Sequence, residues 1–164
     1  MVYGEVPKGE KVMAEINAKT LAKFSFEFHP KLWAECSGVI LKYYGSKKWS
    51  TLQFCSGATL PPENSGIYMF VVAPRCGDIY DHSYIFYIGK TKDLRRRYND
   101  YLNEQAGKCE NPREKVVRFL NYFKGYLFFH YTLVPEHELE MAENLLKDNM
   151  TPPANDHLNI RGRI

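Results

Sequence analysis

The chain has no apolar run near the roughly 18 residues that a membrane-spanning helix needs, so no transmembrane helix is expected. Its opening segment, MVYGEVPKGEKV, lacks the apolar core of a secretory signal. Together these absences predict an intracellular, cytoplasmic protein with no membrane partner. Cysteine is sparse: Cys36, Cys55, Cys76 and Cys109 form no C-x-x-C pair, and no histidine stands at a spacing that completes a zinc site. Reduced thiols are therefore expected in preference to a structural disulfide. No internal repeat or low-complexity tract interrupts the 164 residues, a length suited to one compact domain with at most a short accessory segment. Neither sign of charge dominates, at net +3 over the whole chain.

What is present is more informative. Aromatic residues make up 15%, with 12 Tyr and 10 Phe, which suits strands and stacked cores better than a helical bundle. The small net charge divides unevenly. Residues 90–97 carry Lys90, Lys92, Arg95, Arg96 and Arg97 against Asp93 alone, whereas residues 126–150 hold five acidic residues and only Lys147. Either cluster alone is consistent with a solvated face. Both together suggest attraction of a polyanion at one place and of a cation at another.

Periodicity divides the chain near Leu60-Pro61-Pro62-Glu63-Asn64-Ser65-Gly66. Residues 1–60 read as a β-rich N-terminal extension for binding DNA or a partner, and residues 61–164 as the main domain. In the extension a short helix is predicted over 10–22, with strands at 24–28, 39–44 and 50–55. In the main domain, Ile67–Ala73 and Tyr84–Ile88 read as strands of a hairpin with a long loop. Asp93 suits a helix N-cap, with Leu94, Tyr98, Tyr101, Leu102 and Gln105 following at helical spacing. A second helix is predicted from Pro112 to Phe123, a strand from Tyr126 to Val134, and a last helix from Pro135 to the stop at Pro152-Pro153. The expected fold class is α+β: a small central sheet of about three strands, in the order β-β-α-α-β-α, flanked by helices.

The chemistry-bearing residues form an ordered set. Gly66-Ile67-Tyr68 lies on the first strand of the hairpin and Tyr87-Ile88-Gly89 on the second, 18 residues (Met69 to Phe86) apart. The run Lys90-Thr91-Lys92-Asp93-Leu94-Arg95-Arg96-Arg97 follows, then Tyr101, Glu143 and Asn155. In identity, order and downstream spacing this set resembles the GIY-YIG nuclease family over about residues 66–155. The interval between the tripeptides is longer than in many members, which a hairpin loop absorbs at little cost. Residues before 61 have no counterpart in the resemblance.

Helix geometry bears on the same residues independently. At about 100° per residue, Leu139, Ala142, Leu146 and Met150 form one stripe, and Glu143 falls about 40° from Leu139 within it. A carboxylate on a core-facing stripe is costly unless paired or metal-bound. On its own it reads as a structural ion pair, and with the motif around it as a metal ligand. Arg97 falls about 60° from Leu94, beside the apolar stripe, while Arg96 points nearly opposite. On alternation, Tyr68 shares a strand face with Phe70 and Val72, and Tyr87 with Ile85, although the pairing register is not readable. Without the motif each tyrosine reads as core packing with a satisfied hydroxyl. His82, His130, His137 and His157 fall on no motif position and read as structural or surface residues.

The resemblance implies an endonuclease that hydrolyses phosphodiester bonds in DNA with a single Mg²⁺, for which Mn²⁺ is a substitute. It implies Glu143 as metal ligand and Tyr68 as general base, with Lys90 or Arg97 favouring its phenolate. Arg97 is implied at the scissile phosphate, Tyr87 and Tyr101 as orienting groups, and Asn155 as a brace. Lys92, Arg95 and Arg96 are candidates for contacting the nucleic-acid backbone. A restriction-like or phage- or mobile-element-like enzyme is favoured by the long loop and the extension. A non-cleaving nucleic-acid-binding module, an RNA-cleaving enzyme and a structure-selective repair nuclease stay open as alternatives. A homodimer is open as well, because one site cuts one strand.

Overall fold

The computed structural model describes residues 48–73 and 83–155. The expectations for 10–22, 24–28 and 39–44, the tip of the long loop at 74–82, Cys36, Cys76, His82 and His157 lie outside the described residues. Within them the order is β1 (Ser50–Gln53), β2 (Gly66–Val72), β3 (Tyr84–Thr91), α1 (Leu94–Gln105), α2 (Glu114–Tyr122), β4 (Leu127–Leu133), a 3₁₀ turn (Glu136–Glu138) and α3 (Leu139–Met150). The strands form one antiparallel sheet in the order β1-β4-β2-β3. The α+β class is as the sequence predicts, but the sheet has four strands instead of about three. The additional one, Ser50–Gln53, belongs by sequence to the N-terminal extension and pairs along β4 from Ser50↔Tyr131 to Gln53↔Phe128.

Every residue of β2 is buried because both faces of the sheet are covered. Tyr68, Phe70 and Val72 pack with Leu94, Tyr98 and Tyr101 of α1 and with Val116, Phe119 and Leu120 of α2. Ile67, Met69 and Val71 face the other way, onto Leu139, Ala142 and Leu146 of α3. That alternation is the period-2 signal of the strand, satisfied on both sides. Asp93 caps α1 as expected, its Oδ1 accepting from the Arg96 amide at 2.9 Å.

One expectation about β3 is corrected. Phe70 pairs with Tyr87 but Val71 pairs with Ile85, so Phe86 is an extra residue at a β-bulge. Phe86 and Tyr87 therefore both reach the α1/α2 side, whereas Ile85 packs with the α3 cluster. Tyr87 and Ile85 do not share a face, because the inserted residue shifts the alternation by one.

Beyond α3 the chain turns sharply at Thr151, whose φ of +41° is an unusual left-handed conformation for a β-branched residue. Pro152 and Pro153 then carry it back to β3, where the Ala154 amide donates to Phe86 O at 2.9 Å. This return brings residue 155 against the outer edge of the sheet.

Candidate active site

The two glycines of the tripeptides are where the backbone must be approached closely. A Cβ on Gly66 would stand 2.4 Å from Thr132 O and 2.9 Å from Leu94 Cδ1. A Cβ on Gly89 would stand 2.4 Å from the Tyr68 hydroxyl. Tyr68 pairs with Gly89 in the sheet register, so its ring crosses β3 only because that position carries no side chain.

Tyr68 is buried under α1, its ring stacked on Phe129 at 5.2 Å and 6.2 Å from Tyr87. Its hydroxyl lies 2.8 Å from that of Tyr101, which accepts a hydrogen bond from Arg113 Nη1 at 3.1 Å. Burial pushes the Tyr68 phenol well above its ordinary pKa, and nearby Tyr87 adds to this. The Tyr101 bond, Arg97 and Arg113 pull the other way and are outweighed. Tyr101 is likewise raised, chiefly by burial. Lys90 lies on the opposite face of the sheet, beside α3, and is not among the groups that act on the Tyr68 phenol. The two tyrosines are neutral hydrogen-bonding groups in this fold.

Glu143 is nearly buried on α3, with Lys90 Nζ at 3.0 Å and Lys147 Nζ at 3.5 Å. Lys90 also pairs with Glu140. Burial works against the Lys90 ammonium, but hydrogen bonds to Glu140 and Glu143 outweigh it and raise its pKa, while Lys90 lowers that of Glu140. Among the described residues, the Glu143 carboxylate is thus charge-balanced by Lys90 and Lys147.

A cavity of about 420 Å³ opens beside the outer edge of β3. Tyr87, Arg113, Glu143, Lys147 and Asn155 line it. Asn155 spans the backbone of one β3 residue: its Nδ2 donates to Ile88 O at 2.7 Å and its Oδ1 accepts from Ile88 N at 2.9 Å. Of the residues singled out in the sequence, the cavity brings together Tyr87, Glu143 and Asn155. Tyr68, Tyr101 and Lys90 stand behind these, each in contact with a residue that lines it. Arg97 is partly buried, with Nη1 3.8 Å from Asp100 and a buried Nε that has no hydrogen-bond partner among the described residues.

The other basic residues are engaged elsewhere. Arg95 pins the loop before β2, through Nε to Pro61 O at 3.1 Å and through Nη1 to Glu63. Lys92 pairs with Glu136 at 2.7 Å. Arg96 is exposed and 3.8 Å from Asp100.

Among the lining residues that were not anticipated, Lys147 and Arg113 bond to motif residues, to Glu143 and Tyr101. Lys147 had a readable signal, standing four residues after Glu143 on the same helix. Arg113 had only an indirect one. Glu104 follows Tyr101 by three residues on α1 and is buried, and a buried carboxylate requires a cation.

Among the described residues no three His, Cys, Asp or Glu side chains cluster into a metal cage. The cavity is lined by two carboxylates, the exposed Glu114 and the nearly buried Glu143, a set that fits a cation that keeps most of its ligands as water, which is the habit of Mg²⁺.

The family model for the GIY-YIG catalytic domain matches residues 64–151. Two crystal structures of the GIY-YIG N-terminal endonuclease domain of UvrC from Thermotoga maritima are similar to the chain. They are point mutants, each bound to its catalytic divalent cation. Each is 26% identical, with 60% of this chain and 89% of that one covered and a TM-score of 0.42. No curated protein matches the chain. On the family match, which spans every motif residue from Gly66 to Glu143, this chain belongs to the GIY-YIG family of nucleases.

Proposed function

We propose that this endonuclease hydrolyses phosphodiester bonds in DNA with Mg²⁺ held at Glu143, and that Mn²⁺ can replace it. The observation that carries the reading is the cavity in which the nearly buried Glu143 carboxylate meets Tyr87, Asn155 and the cations Arg113, Lys115 and Lys147. When bound, a divalent cation neutralises charge that develops on the phosphoryl oxygens during hydrolysis. Glu143 supplies its one protein carboxylate, and Lys90 and Lys147 balance that carboxylate until then.

Tyr87 is the tyrosine that lines the cavity, and it orients or deprotonates the attacking water. Tyr68, held neutral by burial, acts instead as a hydrogen-bonding support for Tyr101. Arg97, whose side chain is partly exposed, offers its planar guanidinium fork to a phosphate. Asn155 holds the edge strand on which Tyr87 stands. Lys92 and Arg96, both at the surface, are left for weaker contacts with the nucleic-acid backbone, whereas Arg95 serves the fold. The chain before residue 61 and the long β2–β3 connection favour a restriction-like or phage- or mobile-element-like cytoplasmic enzyme. Double-strand cleavage then requires a dimer or sequential nicking.

The test is cleavage of supercoiled plasmid by native protein and by Glu143→Ala, each with Mg²⁺ and with EDTA. Nicking or linearisation by native protein in Mg²⁺ alone supports the reading. Cleavage that persists in EDTA, or in Glu143→Ala, refutes it.

A further inference from the structure

Arg113 occupies no motif position, yet it ties the cavity to the tyrosine pair. Its guanidinium carbon lies 4.4 Å from the centroid of the Tyr101 ring. Nη1 donates to the Tyr101 hydroxyl at 3.1 Å, while Nε and Nη2 both donate to Glu104 Oε1, at 3.1 and 2.7 Å. Tyr101 and Glu104 are one helical turn apart, so a single face of α1 presents both acceptors. The Tyr101 hydroxyl in turn meets that of Tyr68 at 2.8 Å.

The geometry is not that of a simple structural ion pair. An arginine and a carboxylate ordinarily form two parallel bonds to the two oxygens. Here both bonds fall on one oxygen, and Glu104 Oε2 is buried without a partner among the described residues. The guanidinium forgoes the better pairing and is turned toward Tyr101. Its contacts use three of the five N–H donors of an arginine. Two terminal N–H groups remain on a side chain that is 37% exposed and lines the cavity with Tyr87, Glu143 and Asn155.

We propose that Arg113 is a further functional residue of phosphodiester hydrolysis, positioning the Tyr101–Tyr68 hydroxyl pair and presenting its remaining terminal N–H groups to a DNA phosphate oxygen in the cavity. The inference rests on the nuclease reading and adds to it a second arginine beside Arg97.

Two variants test it. Arg113→Lys keeps a cation for Glu104 but cannot span Glu104 and Tyr101 together. The double variant Arg113→Met/Glu104→Met removes the pair without stranding a buried carboxylate. Plasmid cleavage in Mg²⁺ gives kcat, and unfolding midpoints give stability. Binding of a fluorescent DNA duplex across a KCl series is measured in a Glu143→Gln background. Both variants should lower kcat on the order of 100-fold, the scale for loss of one donor to a developing charge. The double variant should also reduce the slope of log affinity against log salt by about 0.9, one phosphate contact.

A merely structural arginine gives the native salt slope, and native kcat well below the unfolding midpoint. That outcome, with native protein cutting DNA, overturns the role of Arg113 and leaves the nuclease reading standing. Native protein that neither binds nor cuts DNA overturns both.

Discussion

The ring of Tyr68 crosses β3 at Gly89, where a Cβ would meet the Tyr68 hydroxyl oxygen at 2.4 Å and its ring carbon Cζ at 2.5 Å. The first tripeptide and the second are thus one device: the tyrosine of one needs the glycine of the other. Tyr68 is wedged between Phe129 and Tyr101 and has nowhere to retreat. Gly89→Ala should therefore cost about 1–3 kcal/mol of stability, as overpacking does. It should also lower cleavage on the order of 100-fold by displacing the hydroxyl pair. Denaturant unfolding and plasmid cleavage check the two effects, and a fully active Gly89→Ala would contradict the close contact.

Glu143 has two lysines to balance it, so its removal should spare the fold more than the chemistry. In Glu143→Gln, Lys90 keeps Glu140 and Lys147 stays partly exposed. Both lysines are partly exposed and can be solvated once the carboxylate is gone, so the variant should unfold within about 1–2 kcal/mol of the native protein. Its cleavage should fall by roughly 10²–10³-fold, the loss typical of one charge-stabilising group. Mn²⁺ titration followed by electron paramagnetic resonance should show weaker binding than native. Unchanged Mn²⁺ affinity would move the metal away from Glu143.

His130 gives the sheet a pH dependence. On β4, its Nδ1 lies 3.1 Å from Thr51 Oγ1, and burial lowers its pKa below the usual value. The unfolded chain then binds this proton more readily than the folded one. The contribution to stability is complete above the unfolded pKa of about 6.5 and is lost as pH falls through the lower folded value. Thermal unfolding midpoints should decline below about pH 6.5, and His130→Gln should remove part of that decline. Parallel profiles for the two proteins would reject the assignment.

Much of this was legible in the chain because local signals and motif agreed. Asp93 as N-cap, the buried run from Ile67, and Glu143 on the stripe of Leu139 and Leu146 follow from spacing alone. Two things were not legible. The bulge at Phe86 is set by pairing across the sheet, and alternation along β3 cannot reveal an inserted residue. The burial of Tyr68, which keeps its phenol neutral, depends on α1 and α2 packing over it, and a strand pattern does not carry that information.

Asn155 offers a sharper probe of the cavity's rim than truncation would. Its side chain accepts from Ile88 N and donates to Ile88 O, so it replaces a missing strand at the outer edge of β3. In Asn155→Asp one oxygen still accepts from the amide, but the other faces a carbonyl oxygen when ionised. At pH 7 the variant should lose about 1–3 kcal/mol, the cost of a hydrogen-bonding group left facing a like group. Protonation restores a donor to that position, so the folded carboxyl is driven above its unfolded pKa of about 3.9. By linkage the deficit should vanish as pH falls below about 4 and grow as pH rises through the folded value. Asn155→Ala has no titratable group and should show a deficit that does not vary with pH. Chemical denaturation of both variants at pH 4 and pH 7 separates the two behaviours. A pH-independent Asn155→Asp deficit would mean that its ionisable oxygen is turned away from Ile88 O.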